Sequence, residues 1–364
     1  MKMEEKYTFN KKTVKDVDVE GRVVLVRAGY DVPLDETGAI ANDLRIKASL
    51  PTIEYLLKNG ASKVILMSHL GRPEGKRDPS MSLAPVATRL QELLPSAEVR
   101  FVGDVCGPDV ETAVEDLPVG GVLLLENLRF SAGEEKNSED FAKEIVDSTH
   151  ADLFVQDGFA VAHRKHASMD AIAKLLPAVA GLLLEKEVTN LTAAVENPEH
   201  PLLVIIGGAK VEEKQPMIDT FLPIADSIAV GGKIAADGFV DDDPKVYVAE
   251  DFVSDEAGAK LDIGPISTGK IVEMVGGAKT VVWNGLLGKA EEDAYAHSSV
   301  AVAEAMGRSQ ATTIVGGGDT AGFVENMMGV DPSLHYTLIS TGGGASLDLL
   351  SGKPLPGVEA LEDR

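Results

Sequence analysis

Thr312-Thr-Ile-Val-Gly-Gly-Gly-Asp-Thr-Ala-Gly322 carries a β-branched run into three glycines and then an Asp-Thr pair. The pattern predicts a buried strand, a stretch of bare backbone, and a helix start with Asp319 as N-cap. Backbone N–H groups at such a turn, with the dipole of the following helix, attract anions. Asp319 repels a phosphate directly but can hold one through Mg²⁺. By itself the stretch reads equally well as a glycine-rich turn without a ligand, so the rest of the chain has to decide.

The same grammar repeats upstream. Leu202–Ile206 leads to Gly207-Gly-Ala-Lys-Val-Glu-Glu-Lys214, Ile228–Val230 to Gly231-Gly-Lys233, and Thr280–Trp283 to Asn284-Gly-Leu-Leu-Gly288. Val246–Val248 is a further short strand, and Leu338–Ile339 leads to Ser340-Thr-Gly-Gly-Gly-Ala-Ser346. Strands that end in glycine pairs allow close backbone approach to a nucleotide, with Lys210 and Lys214 as phosphate charges. Two near-motifs are set aside. Gly264-Pro-Ile-Ser-Thr-Gly-Lys-Ile271 puts Ile271 where a P-loop needs a hydroxyl, and no strand is expected before it. Gly316–Ala321 has no acidic residue about 20 positions on to hold a ribose, as a dinucleotide fingerprint requires.

The first half alternates strand and helix with different loops. Val23–Val26 runs into Arg27-Ala-Gly-Tyr-Asp-Val-Pro33, and Val64–Met67 into Ser68-His-Leu-Gly-Arg-Pro73. Val122–Leu125 runs into Glu126-Asn-Leu-Arg-Phe130, and Leu153–Val155 into Gln156–Ser168; Val99–Val102 is a further strand. Asn42 or Asp43 caps a helix that ends at Gly60. Arg27, His69, Arg72, Arg129, His163 and Arg164 all follow apolar runs. In a parallel sheet that places them on one rim, suited to a small polyanion. His150, His200, His297 and His335 lack this placement and read as surface residues.

Composition bounds the remaining choices. The 364 residues predict two domains. The net charge of −24 argues against nucleic acid and anionic membranes as partners. Nine of the eleven arginines lie before residue 165, which concentrates bidentate anion recognition in the first half. The single cysteine, Cys106, excludes an internal disulfide. Leu175–Leu184 is too short to span a bilayer, and the charged Met1–Phe9 predicts no signal peptide. Leu182–Val195 reads as one long helix broken by Asn197-Pro-Glu-His-Pro201, and the composition changes there.

Taken together, His69–Pro73, Glu126–Phe130, Ala162–Ser168, Gly207–Val211, Val282–Gly285, Gly316–Thr320 and Ser340–Ser346 resemble the phosphoglycerate kinase family over essentially the full length. The resemblance implies an α/β fold of two Rossmann-like, doubly wound parallel-sheet domains joined by a hinge helix. It implies a phosphoglycerate-binding domain over 1–180, the connecting helix over 181–197, a nucleotide-binding domain over 198–350, and a tail, 351–364, returning to the first domain. The implied reaction is reversible phosphoryl transfer between 1,3-bisphosphoglycerate and MgADP, giving 3-phosphoglycerate and ATP on domain closure, in a cytoplasmic monomer. Carried over by position, Arg27, Arg45, His69, Arg72, Arg129 and Arg164 hold phosphoglycerate. Arg45 and Lys210 flank the transferring group. Gly207, Gly208, Lys214, Gly231, Gly232, Asn284, Glu291, Gly317, Gly318 and Thr320 serve the nucleotide, and Asp319 the metal.

The chain departs from the family pattern at Gly29, where an Asp is usual, and at Asp31, where an Asn is usual. Asp31 is expected to substitute in part as a substrate-binding residue, with altered phosphoglycerate affinity. Leu286, Ala290 and Leu338 replace a proline, an aromatic and a histidine. Two other functions stay open at this point: a nicotinamide-dependent dehydrogenase on paired doubly wound domains, and a non-catalytic anion-binding relative.

Overall fold

Val23–Arg27 (β1) and Leu202–Ile206 (β7) are continuous apolar runs because both faces of each strand are covered, as parallel sheets require. The computed structural model describes residues 9–35 and 37–364, so the reading of Met1–Phe9 falls almost wholly outside it. Two units emerge, Phe9–Lys186 with Pro354–Arg364, and Glu187–Lys353.

The first unit holds a six-stranded parallel sheet in the order β3-β4-β2-β1-β5-β6. Its remaining strands are Lys63–Met67 (β2), Val99–Phe101 (β3), Gly121–Leu124 (β4), Leu153–Gln156 (β5) and Ala178–Ala180 (β6). Helices Leu44–Lys58 (α1), Ala84–Leu93 (α2), Pro108–Glu115 (α3), Ala132–Glu135 (α4) and Glu139–Thr149 (α5) alternate with them. The N-cap of α1 is Asp43, and Asn42 just before it accepts from the Leu44 amide at 2.8 Å. Strands β2 and β5 flank β1, so the chain winds outward in both directions from β1. The carboxyl end of β1 is therefore the switch point where open α/β sheets bind ligands. The C-terminal residues are stitched to this unit: Glu362 N donates to Ala178 O at 3.0 Å, and Gly357 N to Ala162 O at 2.9 Å.

Leu182–Glu196 (α6) begins in the first unit and ends in the second. Its start is held by Asp157, whose Oδ1 accepts from the Leu183 and Leu184 amides at 3.0 and 3.3 Å.

The second unit carries a six-stranded sheet in the order β14-β13-β12-β7-β8-β9, again all parallel. Its strands, with β7, are Ser227–Val230 (β8), Val246–Val248 (β9), Thr280–Asn284 (β12), Thr312–Gly316 (β13) and Leu338–Ile339 (β14). Phe252–Ser254 (β10) and Lys260–Ile263 (β11) form a separate antiparallel hairpin. The helices are Val211–Phe221 (α7), Gly232–Ala236 (α8), Pro265–Gly277 (α9), His297–Gly307 (α10), Gly318–Val330 (α11) and Gly343–Leu350 (α12), and Pro356–Glu359 (α13) follows in the C-terminal segment. Here β8 and β12 flank β7, which puts the switch point beyond Ile206 and Asn284.

Three expectations change. β6, β10 and β11 are strands that the periodicity did not mark. A strand, β11, does precede Gly264, but it belongs to the hairpin, and Lys270 sits inside α9 beside Glu273 at 3.2 Å, so the segment is no phosphate loop. The N-cap of α11 is Gly317, at φ +92°, and Asp319 lies in the first turn instead. Among the described residues no helix is long and apolar enough to cross a membrane.

Candidate active site

The strands around β1 end flush. Arg27 is in register with Met67 and Gln156, and Leu66 with Leu124. The four following loops therefore leave one edge of the sheet, and they bring together Arg27, Asp31, His69 and Arg129 with Arg45 from the first turn of α1. Arg27 is 1 % exposed. Its Nε donates to Ser168 Oγ at 2.9 Å, its Nη1 to the Ala28 carbonyl, and its Nη2 points at His69 Nδ1 at 3.0 Å. Ser168 in turn donates to the fully buried Glu134 Oε1 at 2.6 Å. Burial pushes the Arg27 guanidinium down to about 10, opposed by the charge of Glu134. It stays charged at neutral pH.

Because a guanidinium only donates, His69 Nδ1 must accept, and the imidazole proton sits on Nε2. Burial, with Arg27, Arg129 and Arg45 nearby, holds the imidazole well below its ordinary value, so the ring is neutral. Its Nε2 lies 3.7 Å from Asp31 Oδ2. Asp31 Oδ1 accepts from the Gly71 amide at 2.8 Å, and its Oδ2 is 3.9 Å from Arg45 Nη1. Arg45 also donates to the Asp31 backbone carbonyl. Arg129 donates to Gly71 O at 2.7 Å and approaches Glu135 at 3.2 Å. Arg72 and Arg164 stand exposed on the same loops. His163 is half-buried, and His150, His200, His297 and His335 are exposed.

Arg27 thus differs from the other rim arginines: it is committed inside the protein and acts on the rim through His69. Sequence reading missed its counter-charge, Glu134. The available signal was Ser131-x-x-Glu134, a capping-box spacing.

In the second unit the strand ends are again flush, with Ile206, Asn284 and Gly316 in one register row. Beyond them lies a cavity of about 620 Å³ lined by Gly208, Lys210, Lys214, Gly232, Asn284, Glu291, Gly317, Gly318, Asp319 and Thr320. The first turns of α7, α11 and α12 meet it, so several helix N-termini contribute positive potential. Lys214 Nζ donates to Asn284 Oδ1, and burial lowers its pKa against the opposing charges of Glu213 and Asp319. Asn284 is 1 % exposed, and its Nδ2 has no hydrogen-bond partner among the described residues, a buried donor at the cavity floor. Thr320 Oγ1 accepts from the Gly285 amide at 3.0 Å, tying α11 to the β12 loop. Lys210 is exposed and pairs with Glu213 at 2.7 Å.

Gly207 and Gly231 do not line this cavity; both are buried, at the roots of their loops. Their small size serves packing, since a Cβ on Gly207 would meet Leu286 O at 2.3 Å. Gly285, at φ +96°, is equally confined, its Cβ position 2.3 Å from Gly207 O. The hairpin adds four lining residues that sequence reading did not foresee, Phe252, Lys260, Leu261 and Asp262. Lys260 lies 4.3 Å from the centroid of the Phe252 ring, and both face the cavity. Leu286, where the family has proline, also lines it.

Among the described residues no group of three His, Cys, Asp or Glu side chains could hold a metal. Of the carboxylates lining the cavity, Asp319 stands exposed in the first turn of α11. That donor set fits Mg²⁺ held by one carboxylate together with substrate phosphates and water, not a protein cage.

A cation-rich strand-end rim on one doubly wound sheet and a glycine-rich, nucleotide-sized cavity on another define a phosphotransferase of the small-molecule kinase class. A phosphoglycerate kinase family model matches residues 14–240 and 236–353. The chain is 43% identical to a phosphoglycerate kinase of Roseiflexus castenholzii, covering 97% of this chain and 99% of that one. It is likewise 43% identical to one of Moorella thermoacetica, over 97% and 100% of the two chains. Solved structures agree: a phosphoglycerate kinase from Coxiella burnetii superposes with a TM-score of 0.78 at 31% identity over 96% of this chain and 98% of that one. One from Pyrococcus horikoshii gives 0.84 at 28% identity, with the same coverage of 96% and 98%. The chain belongs to the phosphoglycerate kinase family, and with it to the phosphotransferases of glycolysis.

Proposed function

We propose that the protein transfers the acyl phosphate of 1,3-bisphosphoglycerate reversibly to MgADP, giving 3-phosphoglycerate and ATP. The observation that carries this reading is the division of labour between the units. One gathers Arg45, His69, Arg72, Arg129 and Arg164 around a strand-end rim, and the other has a cavity sized for a nucleotide. In this reading the rim takes phosphoglycerate and the cavity takes ADP or ATP, and the phosphoryl group passes only when the two units close.

The chemistry needs little from the protein beyond placement and charge. The leaving group of an acyl phosphate is a carboxylate, and ADP attacks through an oxygen already ionised, so no strong general base is required. Catalysis then consists of in-line alignment and stabilisation of charge on the phosphoryl oxygens. Arg45 supplies a guanidinium from the rim side and Lys210 an ammonium from the nucleotide side. Lys210 must leave Glu213 to do so, a small cost for an exposed pair. Neutral His69 offers its Nε2–H to the substrate, fixed in that tautomer by Arg27. Lys214 and the α11 amide groups hold nucleotide phosphates, Glu291 the ribose, and Asn284 Nδ2 is a ready donor at the cavity floor. Mg²⁺ held by Asp319 supplies further charge neutralisation on the phosphates when bound. Exclusion of water on closure protects the acyl phosphate from hydrolysis.

Steady-state kinetics on Arg45→Ala and Lys210→Ala test the assignment. Each lowers kcat by about 100-fold or more, the scale for loss of a charge aimed at the transition state. An unchanged kcat in either removes that residue from the reaction. The dehydrogenase alternative predicts that NADH binds in the cavity, and a fluorescence titration without saturable NADH enhancement excludes it.

A further inference from the structure

Three arginines of the rim each face a carboxylate. Arg27 is balanced by Glu134 through Ser168, Arg129 by Glu135 at 3.2 Å, and Arg45 by Asp31 at 3.9 Å. Asp31 stands apart from the other two acids. Glu134 is fully buried beneath the site, and Glu135 comes from α4 at its side. Asp31 sits on the β1 loop between His69 and Arg45, with its side chain 40% exposed. The Gly71 amide fixes its Oδ1 at 2.8 Å, so it cannot swing away freely. His69 is neutral and does not offset it.

We propose that Asp31 is a specificity-setting residue of the phosphoglycerate site, an internal anion that competes with the substrate for Arg45 and holds down affinity for anions at the rim. The inference rests on the proposed function and deepens it. An incoming phosphoglycerate brings carboxylate and phosphate charges to a cluster whose buried cations are already neutralised. It therefore binds against the field of Asp31, and exposed Arg72 and Arg164 supply the net attraction.

Asp31→Asn isolates the charge. Asparagine keeps the acceptor for the Gly71 amide, and the Arg45 bond to the residue 31 carbonyl does not involve the side chain. One unit charge acting on another about 6 Å away through an effective dielectric of roughly 40 changes an equilibrium about tenfold. The variant is expected to lower the KM for 3-phosphoglycerate and the inhibition constant of sulfate, a probe without hydroxyl or carboxyl groups, by about tenfold. The KM for ATP, read in the other unit, stays within about twofold. An unchanged or higher KM for 3-phosphoglycerate overturns the proposal while leaving the kinase reading intact. Should the native protein show no turnover, calorimetric titration with 3-phosphoglycerate still decides. Tighter binding to Asp31→Asn supports the internal anion, and equal or weaker binding, or none to either protein, overturns it.

Discussion

Asp157 gives a prediction in which sign and size both follow from the structure. The residue is fully buried behind β5, and its Oδ1 caps the start of α6 through the Leu183 and Leu184 amides. Oδ2 is buried with no hydrogen-bond partner among the described residues. Burial pushes the carboxyl up to about 6 from 3.8, against the hydrogen bonds from Thr52, Leu184 and Leu183. Between those two values the folded protein binds the proton and the unfolded chain does not. Stability therefore falls as pH rises through this window, and the whole penalty is present above about pH 7. A displacement of about two pK units corresponds to about 3 kcal/mol. Asp157→Asn removes the buried charge and keeps an acceptor for the α6 amides, but leaves an amide N–H₂ where Oδ2 had no partner, at a cost of about 1 kcal/mol. The net expectation is a gain of about 2 kcal/mol at pH 7.5, or about 4–8 °C in the transition of a unit of this size. Near pH 4.5 the advantage vanishes, because the native carboxyl is then protonated. Calorimetric melts of both proteins from pH 4.5 to 8 read the difference, which cancels the other titrating groups. Parallel Tm curves across that range would refute the assignment of a buried carboxyl that holds its proton in the folded protein.

Other perturbations address the nucleotide side. Lys214→Ala removes a cation whose interaction with a phosphate about 4 Å away is worth up to about 4 kcal/mol at an effective dielectric of 20; the KM for ATP is expected to rise about 10- to 100-fold while that for 3-phosphoglycerate hardly moves. Since burial lowers the Lys214 pKa, ATP affinity in the native protein should weaken at alkaline pH before a free lysine would titrate, and this limb should be missing in the variant. Gly285→Ala places a methyl against the Gly207 carbonyl at a positive φ, so destabilisation by about 3 kcal/mol or more and weakened ATP binding are expected from denaturant titration and kinetics. Trp283, the single tryptophan, donates Nε1–H to Gly285 O at 2.8 Å beside the cavity floor, so ADP binding should change intrinsic fluorescence saturably; an invariant spectrum at saturating ADP would count against the cavity as the nucleotide site.

Much of the architecture was legible because parallel strands buried on both faces leave unbroken apolar runs. Val23–Val26, Leu202–Ile206 and Thr280–Trp283 each appear as strands within one residue of their predicted ends. Ala178–Ala180 was not legible: three small residues at a sheet edge carry no periodic signal. The β10–β11 hairpin escaped for a different reason. It forms its own two-stranded sheet, bridged outside only at Asp262 to Gly288 among the described residues, and mixes Phe252 and Leu261 with charge, so its alternation is broken, yet it supplies Lys260 and Phe252 to the cavity. Consecutive glycines hid which residue caps α11, because Gly317 and the Asp319 side chain are both competent caps; the positive φ at Gly317 decides it. Burial of Arg27 depends on Glu134, more than a hundred positions away, and local sequence cannot show that pairing.

The central claim is the reaction itself. The most direct measurement supplies the native protein with 3-phosphoglycerate, ATP and Mg²⁺, and follows 1,3-bisphosphoglycerate through NADH oxidation by an excess of a phosphate-releasing glyceraldehyde-3-phosphate dehydrogenase. NADH loss that requires all three components, and that falls with Lys210→Ala, is the predicted result. No NADH loss at millimolar substrates from protein shown by calorimetry to be folded would contradict it.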